Sequence, residues 1–451
     1  MKKGHLYLLA AIVALSLIAG CASPAATPQS STAPATQEEQ NQTSAGADTN
    51  ASAETTQPIT TTTVPAAEAV TLKAWLPPMT DVETDTKLFW ETQTQPFQTE
   101  NNMKLDFEII PWGSFEEKYL IGVSSATGPD IGYMYLEMIA DFIDMGALTP
   151  MDDYLTAADK DNFVFLDFGN IQGKQYMLPF SVGGPRILIC NMDILNESGV
   201  TQTPKTWDEF LEVCLKIKED QPDIMPIAMP WGATGGGVLN MIYNPFLWQA
   251  GGELVDGNNE WSFNSPEGLK AINFLHDLMY VHQVLPEICT SYQDVMQYFV
   301  DKKAAMIISS SSGTRDIDKT DINWDFTISL EDKTVGTFIS ADSFVLMSAT
   351  KYPDLAMDCM RFMLSGPVMT EFHARMWSEP PVAKDEKYSA DPRFEDMYTN
   401  QTRYFRTLPA VKGSSRVYDA LLKNLQLVML NEMDAQAALD TTMDYANSLS
   451  D

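Results

Sequence analysis

Basic residues are scarce in this chain. Its 451 residues hold 29 Lys and Arg against 61 Asp and Glu, a formal net charge of −32. Nucleic-acid binding needs a basic face to displace counterions, so that class of function is excluded. The acidic balance fits a solvated surface on a soluble protein. Histidine is scarcer still: His5, His276, His282 and His373 do not cluster, and no HExxH occurs. Neither a zinc site nor another metal is therefore expected, and no motif points to a cofactor. Cysteine is also sparse. No CxxC is present, and Cys190, Cys214, Cys289 and Cys359 are widely spaced. Cys190 and Cys214 lie in apolar patterns and read as buried thiols, while spacing assigns no disulfide. Beyond the first twenty residues no apolar run is long enough to span a membrane.

The N-terminus is the exception. Lys2 and Lys3 precede an apolar run from Leu6 to Ile18, closed by Ile18-Ala19-Gly20-Cys21. This is the three-part form of a secretory signal. A cysteine directly after small residues resembles the lipobox of bacterial lipoproteins, which implies cleavage before Cys21 and a diacylglycerol on its thiol. Residues 1–20 are therefore expected to be a lipoprotein signal peptide. Residues 21–69, rich in Ala, Ser, Thr and Pro, cannot bury a core and read as a disordered tether. The expected location is the extracellular face of the cell membrane, held by lipid on Cys21.

From residue 70 onward the chain is too long for one ordinary core, so two lobes are expected. Val70 to Leu76 and Met103 to Ile110 alternate as strands, and Pro129 to Tyr135 is a third. Helical patterns fall between them, at Asp81 to Thr99 and Phe115 to Ser124. A short helix, Ile139 to Met145, is stopped by Gly146. Such alternation means a parallel or mixed sheet with helices on its faces. A flexible stretch, Ser181-Val182-Gly183-Gly184-Pro185, then separates an extended segment from the apolar run Ile187 to Cys190. It reads as a crossing from one lobe to the other. Thr206-Trp207-Asp208-Glu209 follows as a capping box opening a helix to Lys218. Further on, Met241 to Gln249 is a helix interrupted near Pro245, Ser265-Pro266-Glu267 opens another, Ala304 to Ile308 is a buried strand, and the tail beyond Val417 is helical.

Several short motifs occur in order: Gly128-Pro129-Asp130-Ile131; Gly146-Ala147-Leu148-Thr149-Pro150-Met151-Asp152; Gly173-Lys174-Gln175-Tyr176-Met177-Leu178-Pro179; Cys190-Asn191-Met192-Asp193-Ile194-Leu195; Pro204-Lys205-Thr206-Trp207-Asp208-Glu209-Phe210; and Lys303-Ala304-Ala305-Met306. In this order they resemble the extracellular solute-binding proteins of ABC importers, in the carbohydrate-binding group that includes maltose-binding protein. Cys190 and Met192 stand where that group usually has Tyr and Lys, so the resemblance does not name the ligand. It implies an α/β fold of two lobes with a hinge and a ligand cleft between them. The expected lobes are 70–182 plus 333–375 and 183–332 plus 376–451. It also implies a small-molecule ligand, a monomer, an ABC permease as partner, and no enzymatic activity.

A sugar site needs aromatic platforms and planar polar groups, and open α/β sheets bind ligands at the carboxyl ends of strands. Trp75, Trp112, Tyr133, Tyr135, Glu137, Trp231, Asp342 and Trp377 lie at strand ends or on loops, and Arg186 stands at the crossing. Trp248 completes the set of candidates. For each there is a plainer reading: strand-end core for Trp75, helix core for Trp248, a structural place for the loop residues Trp112, Trp231 and Trp377, solvated carboxylates for Glu137 and Asp342, and neutralisation of acidic lobe edges for Arg186. Two other functions compete with sugar capture. One is a glycoside-acting enzyme, which needs two placed carboxylates that no motif here supplies. The other is a binder of a polyamine, an amino sugar, a peptide or a metal complex; the acidic composition mildly favours a cation, whereas the several loop Trp and Tyr favour a sugar.

Overall fold

The computed structural model describes residues 69–79, 83–286, 288–377, 379–389 and 391–449. The expected signal peptide, Cys21 and the tether up to residue 68 lie outside them. No helix among the described residues is long and apolar enough to cross a membrane.

Nine strands build two main sheets: β1 (Val70–Leu76), β2 (Met103–Ile109), β3 (Ile131–Tyr135), β4 (Leu178–Ser181), β5 (Arg186–Asn191), β6 (Met225–Ala228), β7 (Ala304–Ser310), β8 (Trp324–Thr327) and β9 (Asp342–Leu346). The first sheet has the order β2-β1-β3-β9-β4. β1 runs parallel to β2 and β3, whereas β9 is antiparallel to both β3 and β4. The alternation read in β2 is real: Met103, Leu105 and Phe107 are buried and Lys104, Asp106 and Glu108 exposed. β3 lies in the middle of the sheet, and Ile131 to Met134 are all buried, as befits a strand covered on both faces. Trp90, from the Glu83–Glu100 helix, sits among Phe107, Phe180, Phe344 and Phe372 at the centre of this lobe.

The second sheet has the order β8-β5-β7-β6. The helices packed about it include Trp207–Asp220, Pro266–Tyr280, Tyr292–Val300, Ser414–Met429 and Ala435–Ser448. The Trp207 helix starts where the capping signal placed it, with Thr206 Oγ1 accepting from Glu209 N at 3.1 Å. The reciprocal half differs. The Glu209 carboxylate accepts from Lys205 N at 2.7 Å rather than from the cap residue, while Trp207 N donates to Glu331 O at 3.0 Å and Glu331 N to Lys205 O at 2.8 Å alongside. The interruption near Pro245 is a full break between helices Leu239–Ile242 and Asn244–Gln249, with Pro245 in the first turn of the second. Cys190, Cys214 and Cys359 are buried thiols.

The chain passes between the lobes three times. The first passage is Val182 to Pro185, between β4 and β5. Alongside it runs the second, with Gly183 N donating to Ser340 O at 3.2 Å and Ser340 N to Gly183 O at 2.9 Å. Core packing places the returns later than the sequence reading did. Phe338 still packs in the second lobe, and Ile339 is the first of its segment to join the first-lobe core. Val382 and Ala383 remain in the first lobe, held by Val164 N on Val382 O at 2.9 Å, and Phe394 packs in the second.

Candidate functional site

The strand ends converge where the lobes join. β3 and β4 both run toward the joint and β9 leaves it, which places Tyr135, Ser181 and Asp342 side by side. Arg186 opens β5 directly after Gly183-Gly184-Pro185. Its guanidinium lies 5.1 Å from the Phe338 ring centroid and donates to the Gly184 carbonyl. From the third passage comes Glu379, buried, whose carboxylate accepts from the Ser181 hydroxyl. Its side chain occupies the space above Gly183, where a Cβ would lie 2.6 Å from Glu379 Cγ. Gly184 has φ +59; a Cβ there would be 3.3 Å from Glu379 Oε1 and 3.4 Å from Arg186 Nη1. The two glycines thus let a carboxylate and a guanidinium close over the crossing backbone.

Other groups complete the cluster. Glu137 sits in the first turn of the Leu136–Asp144 helix, whose N-cap is Tyr135. Tyr292 Oη lies 2.6 Å from Ser309 Oγ, and Tyr398 Oη lies 2.9 Å from Ser311 Oγ. Tyr133 is fully buried, and its hydroxyl has no hydrogen-bond partner of ordinary geometry. It nonetheless faces the Asp342 carboxyl closely enough for the two ionisations to couple. Arg186 Nε is likewise buried without a partner.

Burial dominates the electrostatics. Desolvation pushes Glu137 up to about 7, helped by the nearby Glu116 charge and opposed by Arg186. It also raises Asp342, opposed by Tyr133 and Arg186 and reinforced by Glu379 and Glu137. Glu379 is raised by burial too, against the pull of His373, Ser181, Arg186 and Arg315. The same desolvation lowers Arg186, while Tyr292, Glu379, Asp342 and Glu137 draw it back up. One guanidinium and three carboxyls thus share a low-dielectric space.

Six of the ten residues named from sequence meet here: Tyr133, Tyr135, Glu137, Arg186, Asp342 and, at the edge, Trp377. The Trp377 ring is partly buried against Phe180 (6.1 Å) and Phe372 (5.9 Å). A seventh, Trp112, is 47% exposed and leans edge-on against Tyr133 at 6.0 Å. The remaining three are placed in lobe cores. Trp75 is buried edge-on against Tyr119 at 5.2 Å, beneath Gly122. Trp231 is 1% exposed: its Gly-rich loop folds under the Ser414–Met429 helix, where Gly236 N donates to Asp419 and Gln426 holds the Trp231 carbonyl. Trp248 is buried with its Cβ against Gly336. Sequence reasoning missed Glu379, Ser181, Tyr292 and Tyr398. Glu379 had a signal, an acid two residues after Trp377 and directly before Pro380-Pro381, whereas Tyr292 sits in an ordinary amphipathic helix and had none.

Two α/β lobes linked by three adjacent chain passages, with polar side chains from all three gathered at the joint, define a two-lobe ligand-binding protein. More specifically, the chain belongs to the bacterial extracellular solute-binding proteins, whose family pattern matches residues 77–368. It is 22% identical over 373 residues to a binding protein of Brucella abortus, covering 80% of this chain and 89% of that one. It is also 24% identical over 292 residues to the diacetylchitobiose binding protein of Streptomyces coelicolor, with 61% and 66% covered. The fold is similar to that of an ABC transporter solute binding protein from Thermotoga lettingae bound with alpha-D-tagatose. There the TM-score is 0.72 at 19% identity, covering 84% of this chain and 100% of that one.

Proposed function

We propose that this protein is a lipid-anchored extracellular receptor that captures a mono- or oligosaccharide between its lobes and delivers it to an ABC importer permease. The observation that carries the reading is the joint itself: buried hydrogen-bonding groups from all three passages, flanked by Trp112 and Trp377. Carboxylates and a guanidinium suit sugar hydroxyls, and indole faces suit the apolar face of a pyranose. Relatives whose names specify a sugar, such as the diacetylchitobiose binder, support a carbohydrate. The Leu6-to-Cys21 signal supports anchoring on Cys21, with the tether carrying the lobes clear of the membrane. Closure about Gly183-Gly184 would engage the ligand from both lobes, as hinge motions do, and the receptor acts as a monomer with no catalytic step.

The test is a thermal-shift and calorimetric screen of the full chain in detergent against mono- and oligosaccharides. Expected is a rise in melting temperature with one sugar class, since a ligand bound only to the folded state stabilises it, and no turnover of the bound sugar. A screen in which no carbohydrate binds, or in which a bound glycan is cleaved, would reject the reading. For the anchor, Cys21→Ser is expected to move the protein from the membrane to the soluble fraction.

A further inference from the structure

We infer that the solute site is blind at one end, so that a saccharide enters it by a single terminus and cannot run through it. This rests on the reading above that solute binds at the joint. The block is a seam between the lobes beside Tyr135, the last residue of β3 and the neighbour of Asp342 across the sheet. Tyr135 Oη donates to Glu116 Oε1 at 2.8 Å, and Ser415 Oγ of the second lobe donates to the same oxygen at 2.6 Å. From there the seam continues along the first-lobe helix Leu136–Asp144, which Tyr135 precedes. Asp141 accepts from Gly413 N at 2.8 Å, and Asp144 pairs with Lys412 at 3.2 Å. As the first-lobe helix advances, its partner segment steps back, so the two run antiparallel along a helix about 13 Å long.

The seam is packed rather than bridged across solvent. Gly413 and Ser414 are buried, Leu408 sits in the second-lobe core, and Ala410 packs against the first-lobe core. Gly413 stands at φ +76 as the N-cap of the Ser414–Met429 helix. The carboxylates of Glu116 and Asp141 meet that helix at its positive end, where free N–H groups call for acceptors. The lobes thus touch at the back, through the three passages, and at one flank, through this seam. The Trp112–Ser114 turn is different. It follows the edge strand β2, Trp112 is 47% exposed, and nothing lies within 4 Å of where a Cβ on Gly113 would sit. Among the described residues, no hydrogen bond or ion pair ties this turn to the second lobe. A saccharide with its first ring at Tyr135 and Asp342 therefore has no path past Glu116. It leaves over Trp112, whose ring is placed to stack on a later sugar. The wall selects by clash rather than by added contacts, and Glu116 is its positioning residue.

The experiment measures calorimetric affinities of the full chain in detergent for glucose, maltotriose, cellotriose and triacetylchitotriose. Each sugar that binds is then capped at one terminus, as the 4-nitrophenyl glycoside at the reducing end or the 4,6-O-benzylidene acetal at the non-reducing end. One cap is expected to cost more than about 100-fold in affinity and the other less than about threefold. Glu116→Ala removes the acceptor shared by Tyr135 and Ser415. It is expected to recover about tenfold for the rejected cap while weakening the uncapped sugar. Those opposite shifts separate a wall from a general loss of structure, and unliganded melting temperatures report on folding. Glu116→Gln keeps an acceptor oxygen and is expected to reject the same cap as the natural protein. Tolerance of both caps, rejection of both, or a rejected cap that Glu116→Ala still excludes would overturn the blind end and leave the joint as a sugar site. If no uncapped sugar binds, the saccharide reading itself fails and the inference with it.

Discussion

Ser415, at the start of a second-lobe helix, donates a 2.6 Å hydrogen bond to Glu116, at the start of a first-lobe helix. The same Glu116 oxygen accepts from Tyr135 at 2.8 Å, so one carboxylate holds a residue of the site and the opposite lobe together. Beside it, Gly413 N donates to Asp141 at 2.8 Å and Lys412 pairs with Asp144 at 3.2 Å. These ties join the lobes through segments other than the three passages. Ser415→Ala is expected to cost about 1 kcal/mol of closure, roughly a fivefold shift toward open forms. Small-angle scattering would register a larger radius of gyration for the variant without ligand, and an unchanged radius would count against a role in closure.

Gly183 leaves no room for a side chain, because Glu379 fills the position of its Cβ. Gly183→Ala is expected to displace the Glu379 carboxylate from Ser181, at a stability cost of about 1–3 kcal/mol typical of overpacking. Solute affinity should fall more than melting temperature does. Equal affinity in the variant and the natural protein would remove Glu379 from the site.

The tryptophans divide by placement. Trp231→Ala removes a buried ring from the second-lobe core and is expected to cost about 3–5 kcal/mol in denaturant unfolding. Trp112→Ala, at a half-exposed ring, should change stability by less than about 1 kcal/mol and weaken solute binding instead. The reverse pattern would contradict the placement of both residues.

Stability should depend on pH through Glu137. Its carboxyl is raised to about 7 when folded, against an ordinary value of 4.5. Between those values the folded state holds a proton that the unfolded chain has lost. Stability therefore falls as pH rises through that window and levels above about 7. The span allows up to roughly 3 kcal/mol for a shift of this size. Asp342 and Glu379 are shifted in the same direction and act with the same sign. Glu137→Gln should flatten the unlinked part of the slope between pH 5 and pH 7 in urea titrations. A slope identical to that of the natural protein would show that Glu137 ionises freely.

Local patterns carried the architecture a long way. Strand β1 and the helix Phe115–Ser124 have the limits their residues suggest, and Gly146 ends its helix at φ +67 as a glycine stop does. The joint was legible because Gly183-Gly184-Pro185 between two apolar runs admits no regular element. Half of the tryptophan picture was not legible. A loop rich in glycine reads as exposed, and Gly232, Thr234, Gly235 and Gly237 are exposed, yet Trp231 at its start is buried and Gly236 packs on Tyr418 and Asp419, nearly two hundred residues later in the chain.

The amino-acid sequence by itself determined the order of elements, the lobe crossing and the membership in a solute-binding family, because periodicity, caps and turn residues act between near neighbours. Only the tertiary structure decided which polar groups share the joint. Ser181 and Glu379 meet across 198 residues, and the charge balance around Arg186 depends on four chain segments arriving at one place. Burial gives those charges their strength, and burial is a property of the whole fold rather than of any stretch within it.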